Sequence, residues 1–136
     1  MPLIWCAISG HGYGHAAQVV PVLNALSTLV PGVTAILRTT VPASFFRDRL
    51  TIPWDLQPVQ QDVGCVQDGP LKIDIEATWA AHYRFHKTWE ARLSDEVAAM
   101  QAASPALVIA DIPYLAIEAG SRAQIPTVAL ASLTWD

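Results

Sequence analysis

The stretch "ISGHGYGHAAQVVPVLNAL", residues 8–26, decides how the chain is read. An apolar run, "LIWCAIS" (3–9), leads into it and has the character of a buried strand. Gly10, Gly12 and Gly14 then alternate with other residues, and His11 and His15 stand among and after them. Beyond His15, Val19, Val22, Leu23, Leu26 and Leu29 recur at helical spacing, so a helix is expected over 15–30. Pro21 should bend that helix or lie near its first turn, and Pro31-Gly32 should end it. A strand, a glycine loop and a helix in this order open an α/β unit.

The rest of the chain continues the alternation. "VTAILRT" (33–39) reads as a second strand, 43–50 as a short helix and "DLQPV" (55–59) as a weak third strand. Residues 60–73, with Gly64, Gly69 and Pro70, look like a loop. Asp74 can cap one long helix over 75–103, because Trp79, His82, His86, Trp89, Leu93, Val97 and Met100 follow at steps of three or four. "ALVIA" (106–110) is the strongest strand signal, Pro113 suits the start of a helix reaching about residue 123, and "TVALAS" (127–132) is the last strand. The pattern β-α-β-α-β-α-β-α-β predicts a Rossmann-like open parallel sheet with helices on both faces.

Composition bounds the function. The 136 residues are 52% apolar and only 15% charged, which suits a sheet buried on both faces or a piece whose apolar surface is covered elsewhere. A net charge of −4 with eight scattered basic residues disfavours a nucleic-acid partner. Cys6 and Cys65 make no disulfide framework, so a reducing cytoplasm is expected. No Lys or Arg precedes Arg38, so the N-terminus does not read as a signal peptide, and no apolar run approaches the roughly 20 residues that span a bilayer. The chain stops at Asp136 directly after a strand; we expect residues 1–136 to be one N-terminal domain of a longer polypeptide.

The glycine loop is a poor nucleotide cradle. Gly10 and Gly12 match the first two positions of G-x-G-x-x-G, but His15 takes the third, and no acidic residue stands about 20 residues on. There is no Gly-Lys-Ser/Thr for a P-loop. The pairs His11/His15 and His82/His86 are spaced four apart, yet no further ligand completes a metal set.

His15 and Asp111 are the candidates for chemistry. Both follow C-terminal strand ends, and in the doubly wound order strands one and four are neighbours about 4.8 Å apart. A carboxylate on one imidazole nitrogen fixes the tautomer and leaves the other as a general base for a hydroxyl. Two plainer readings stand beside this: His15 merely starts its helix, and Asp111 caps the next one.

Two stretches resemble a known family. "GHGYGHAAQVVPVLNAL" is similar to the opening motif of GT-B glycosyltransferases, and "LVIADIPYLAIEAGSRAQIPTVAL" to a later strand–Asp–helix–strand segment of their N-terminal, acceptor-binding domain. Segments like "DVGCVQDG" and "SLTWD" occur in a subset that includes the glycosyltransferase-like domain at the front of some sugar kinases. The resemblance implies the N-terminal half of a GT-B fold, with His15 as catalytic base and Asp111 as its partner. It implies substrate contacts at Gly10, His11, Gly12, Gly14, His86, Ser132 and Thr134. The implied reaction moves a sugar from a nucleotide-sugar co-substrate to an acceptor hydroxyl, without a cofactor or a metal. The nucleotide would be held by a C-terminal domain beyond Asp136, so the 136 residues alone are expected to be inactive. One departure is plain: the best-studied branch has a proline three residues after the histidine, whereas here Pro21 follows by six. Two alternatives remain, a non-catalytic sugar-binding or regulatory module and an NAD(P)-dependent oxidoreductase.

Overall fold

In a computed structural model, described over residues 1–132, the strands are β1 (Leu3–Ile8), β2 (Thr34–Arg38), β3 (Trp54–Gln57), β4 (Leu107–Asp111) and β5 (Thr127–Ala129). The helices are α1 (Gly14–Leu29), α2 (Ala43–Phe46), α3 (Ile75–Lys87), α4 (Trp89–Ala103) and α5 (Tyr114–Arg122). All strands are parallel, in the order β3-β2-β1-β4-β5. The order reverses between β1 and β4, where Ile8 lies opposite Asp111.

Side-chain alternation along β1 explains the two-sided core. Ile4, Cys6 and Ile8 pack on one face with Val19 and Leu23 of α1 and with Phe46 of α2. Trp5 and Ala7 pack on the other with Phe85 of α3, Leu93 and Met100 of α4, and Leu115 of α5. Each large apolar side chain so buried contributes roughly 1.5–3 kcal/mol. The apolar composition is therefore largely that of a sheet covered on both faces.

The single helix expected over 75–103 is two helices. Thr88 leaves helical geometry at φ −109° and ψ 21°, and its hydroxyl donates to the Phe85 carbonyl while accepting from Arg92 Nε at 2.9 Å. A threonine hydroxyl that satisfies backbone locally competes with the helical ladder. The expected common stripe is broken accordingly: Trp79 is 74% exposed, and α3 buries Phe85 in its place. Helix α2 ends at Phe46 and β5 at Ala129, both shorter than expected. Pro21 sits in mid-helix on the exposed side of α1, which continues to Leu29.

Candidate active site at the β1–β4 crevice

Helix α1 begins at Gly14, and its first turn delivers His15 to the crevice. Gly12 makes the turn at φ +64°, a left-handed conformation that costs a side-chain-bearing residue about 1 kcal/mol or more. Gly10 lies against Thr40, whose hydroxyl a Cβ would strike. Open space surrounds the Cα of Gly14. These glycines let the backbone leave β1 sharply.

The structure brings His15 and Asp111 together. His15 Nδ1 stands 2.7 Å from Asp111 Oδ1; with a carboxylate as acceptor, Nδ1 is the donor and Nε2 is the basic nitrogen. The imidazole is 20% exposed and the carboxylate fully buried. Burial pushes the Asp111 carboxyl up from its ordinary value, and the hydrogen bond and charge of His15 pull it back. Asp111 Oδ2 is buried with no hydrogen-bond partner among the described residues. The carboxylate does not cap α5, whose N-cap is Pro113 without a side-chain cap. It is spent on the histidine.

A second histidine–carboxylate contact lies alongside. His11 Nε2 is 3.1 Å from Asp62 Oδ1, and the His11 and His15 ring centroids are 6.3 Å apart at 77°. A cavity of about 390 Å³ opens beside the loop, with Gly10, His11, Thr40, Gln60, Asp62 and Gly64 in its wall. The Tyr114 hydroxyl is buried near this point. Burial and then the Asp62 charge push it up, and the Val63 backbone opposes them.

His86 lies apart from the pair, on α3. It stacks between His82 and Tyr114, with centroids 6.0 Å and 5.7 Å away, and its Nδ1 donates to the His82 carbonyl at 2.9 Å. With His82, Trp79, Ile73, Ile75 and Thr78 it lines an apolar cavity of about 420 Å³. His82 Nε2 in turn donates to the Gly64 carbonyl at 3.2 Å, which joins this wall to the glycine-loop cavity. Among the described residues no group of three or more His, Cys, Asp or Glu is arranged to hold a metal ion. Ser132 accepts from Gln18 Nε2 at 3.5 Å, beside α1. Thr134 lies outside the described residues. Sequence reasoning does not find Ser9 and Asp62 as site residues; the available signals are that Ser9 ends the first apolar run and Asp62 opens "DVGCVQDG".

Comparison with known proteins bears on the fold. No protein-family profile matches the chain. The chain is 28% identical over 131 residues to L-arabinokinase of Arabidopsis thaliana, covering 95% of this chain but 12% of that protein's length. Among solved structures, Phytolacca americana UGT2, complexed with UDP-2-fluoro-glucose and pterostilbene, superimposes at a TM-score of 0.59 with 20% identity. That match covers 98% of this chain and 31% of UGT2. The C-terminal domain of the Pyrococcus furiosus PF1911 hydrogenase superimposes at 0.55 with 14% identity, over 94% of this chain and 89% of that one. Fold and neighbours together define a GT-B-like, Rossmann-type α/β domain. Such folds host unrelated chemistries, so function is argued from the site.

Proposed function

We propose that this chain is the acceptor-side domain of a glycosyltransferase, in which His15 Nε2 removes the proton of an acceptor hydroxyl as its oxygen attacks the anomeric carbon of a nucleotide-sugar and the bond from that carbon to the nucleoside diphosphate breaks, the diphosphate leaving. The observation that carries the reading is the 2.7 Å contact from His15 Nδ1 to a fully buried Asp111 at the sheet's switch point. The carboxylate holds one tautomer and stabilises the imidazolium that forms. A positioned base of this kind contributes about 10²- to 10⁴-fold. The nucleotide-sugar is a co-substrate, and no cofactor or metal is invoked. Its nucleotide is held by a second domain outside these 136 residues, a reading supported by the 31% of UGT2 that the chain matches. Gly10, His11, Gly12 and Gly14 admit the reacting groups, and His86 lines the neighbouring apolar wall. Ser132, beside α1, is assigned to the substrate side. No helix among the described residues is long and apolar enough to cross a membrane, and both cysteines are free thiols; these support a reducing, cytoplasmic setting.

A second reading draws on the match to a kinase: the domain binds a sugar as a regulatory module and turns nothing over. Single-turnover assays with a panel of nucleotide-sugars separate the two, using a protein that joins this chain to a nucleotide-sugar domain. The transferase reading expects sugar transfer that His15→Ala lowers at least about 10²-fold. Sugar binding without transfer, equal in wild type and His15→Ala, would establish the module instead.

A further inference from the structure

We infer that Asp62 is a positioning residue for the His15–Asp111 pair, acting through Ser9 and His11 on the two segments that carry the pair. The inference rests on the base assignment above for its function, and on geometry alone for its structural content. One arm runs through Ser9. The Ser9 hydroxyl donates to Asp62 Oδ2 at 2.5 Å and accepts from the Ile112 amide at 3.2 Å, while the Ser9 amide donates to the Asp111 carbonyl at 2.8 Å. Ser9 thereby bonds both polar groups of the peptide that follows Asp111. A hydroxyl has one proton to give. Because Ser9 accepts from Ile112, an anionic acceptor at Asp62 fixes the direction of the whole arm.

The other arm runs through His11. Asp62 Oδ1 stands 3.1 Å from His11 Nε2, a charge contact that lacks hydrogen-bond geometry, and His11 lies in the glycine loop four residues before His15. The ring lies flat on Gly64: a Cβ built there would stand 2.9 Å from Cγ, Cδ2 and Cε1 of His11 alike. Such closeness is open only to glycine. One carboxylate, 1% exposed, is thus in contact both with Ser9, which bonds the peptide after Asp111, and with the glycine loop that leads into the first turn of α1, where His15 stands. A loop of glycines has little stiffness of its own. Near-attack geometry tolerates displacements well under 1 Å, so an external clamp has an effect to exert.

The experiment is nitrogen-15 NMR of the histidine side chains in this chain, as wild type, Asp62→Asn and Ser9→Ala. The readout is the His15 Nδ1 proton and the tautomer of that ring. Asp62→Asn keeps the shape and can still accept from Ser9, but its amide cannot hold His11 as the carboxylate does; Ser9→Ala cuts the other arm. The inference expects the His15 Nδ1 proton to exchange with water about five- to tenfold faster in each variant, the factor one hydrogen bond is worth. The double variant should be little worse than the more affected single one. His15 signals that keep their wild-type exchange and tautomer in folded Asp62→Asn and Ser9→Ala would overturn it. If Asp62→Asn fails to fold, Ser9→Ala decides alone. These signals do not depend on sugar transfer, so an inactive protein with the expected shifts removes the base reading and leaves the positioning chain standing.

Discussion

Glu96 is the residue whose removal should hurt the fold most, and the loss can be worked from its partners. It lies on α4, 1% exposed, and accepts four hydrogen bonds. They come from Trp5 Nε1 at 3.1 Å, Arg38 Nε at 3.3 Å, Arg38 Nη2 at 2.5 Å and Gln61 Nε2 at 3.3 Å. Arg38 is itself 10% exposed and lies 4.9 Å from the centroid of the Trp5 ring. Glu96→Ala strands a guanidinium in a low-dielectric interior along with two neutral donors. Breaking a buried pair from one side costs about 3–5 kcal/mol. For a chain of this size roughly 3–4 °C accompanies each kcal/mol, so the melting temperature should fall by roughly 10–20 °C. Glu96→Gln keeps the shape and one carbonyl acceptor, so its loss should be intermediate. The double variant Arg38→Met, Glu96→Leu removes both charges and should recover most of the stability, because the ion pair must first offset its own desolvation. Thermal melts and urea denaturation, both followed by circular dichroism, measure these changes. A loss below about 1 kcal/mol in Glu96→Ala would refute the reasoning, since it would mean that Arg38 reaches water unaided. The consequence extends to the site: Gln61 hangs from Glu96 and precedes Asp62, so loosening α4 should also loosen the His11 contact.

Gly64→Ala should destabilise the chain by about 1–3 kcal/mol, because the new methyl must push the His11 ring off the backbone; urea denaturation measures it, and a neutral outcome would show that the ring has room to move. Asp111→Asn should change the pH dependence of stability. The folded Asp111 carboxyl titrates above its ordinary 3.8, so the native state binds more protons than the unfolded chain in that window. Stability from this group is therefore full below 3.8 and lost as pH rises through the folded value, whereas Asn does not titrate. Melting temperatures of the two proteins should accordingly diverge in favour of Asp111→Asn as pH climbs from 3.8, and parallel curves would contradict the burial argument.

Much of the fold is legible in the sequence because local and tertiary signals agree. The run 3–9, the glycines and the helical spacing after His15 all specify one strand–loop–helix unit, and β4 stands out as an apolar run bounded by Ser104-Pro105 and Pro113. The meeting of His15 and Asp111 follows from parallel topology, since strand ends on one edge converge whatever their separation in sequence. The break at Thr88 is not legible: the apolar spacing runs across it, and the threonine's bonds to Phe85 and Arg92 exist only once the turn has formed. Asp62 is hidden for another reason. It lies in a segment without periodicity, and its partner Ser9 is 53 residues away, so only packing reveals the contact. Trp79 misleads because an aromatic residue in helical register suggests a core, while the actual core residue of α3 is Phe85.

The central claim is that His15 and Asp111 act as one base in sugar transfer. A two-mutant cycle under single-turnover conditions tests it most directly, in a protein that joins this chain to a nucleotide-sugar domain. His15→Ala should lower the rate about 10²- to 10⁴-fold with donor affinity nearly unchanged. Asp111→Asn should also lower it, and the double variant should be hardly slower than His15→Ala alone. Near-wild-type turnover in His15→Ala would contradict the base assignment, and strictly multiplicative losses would separate the two residues into unrelated roles.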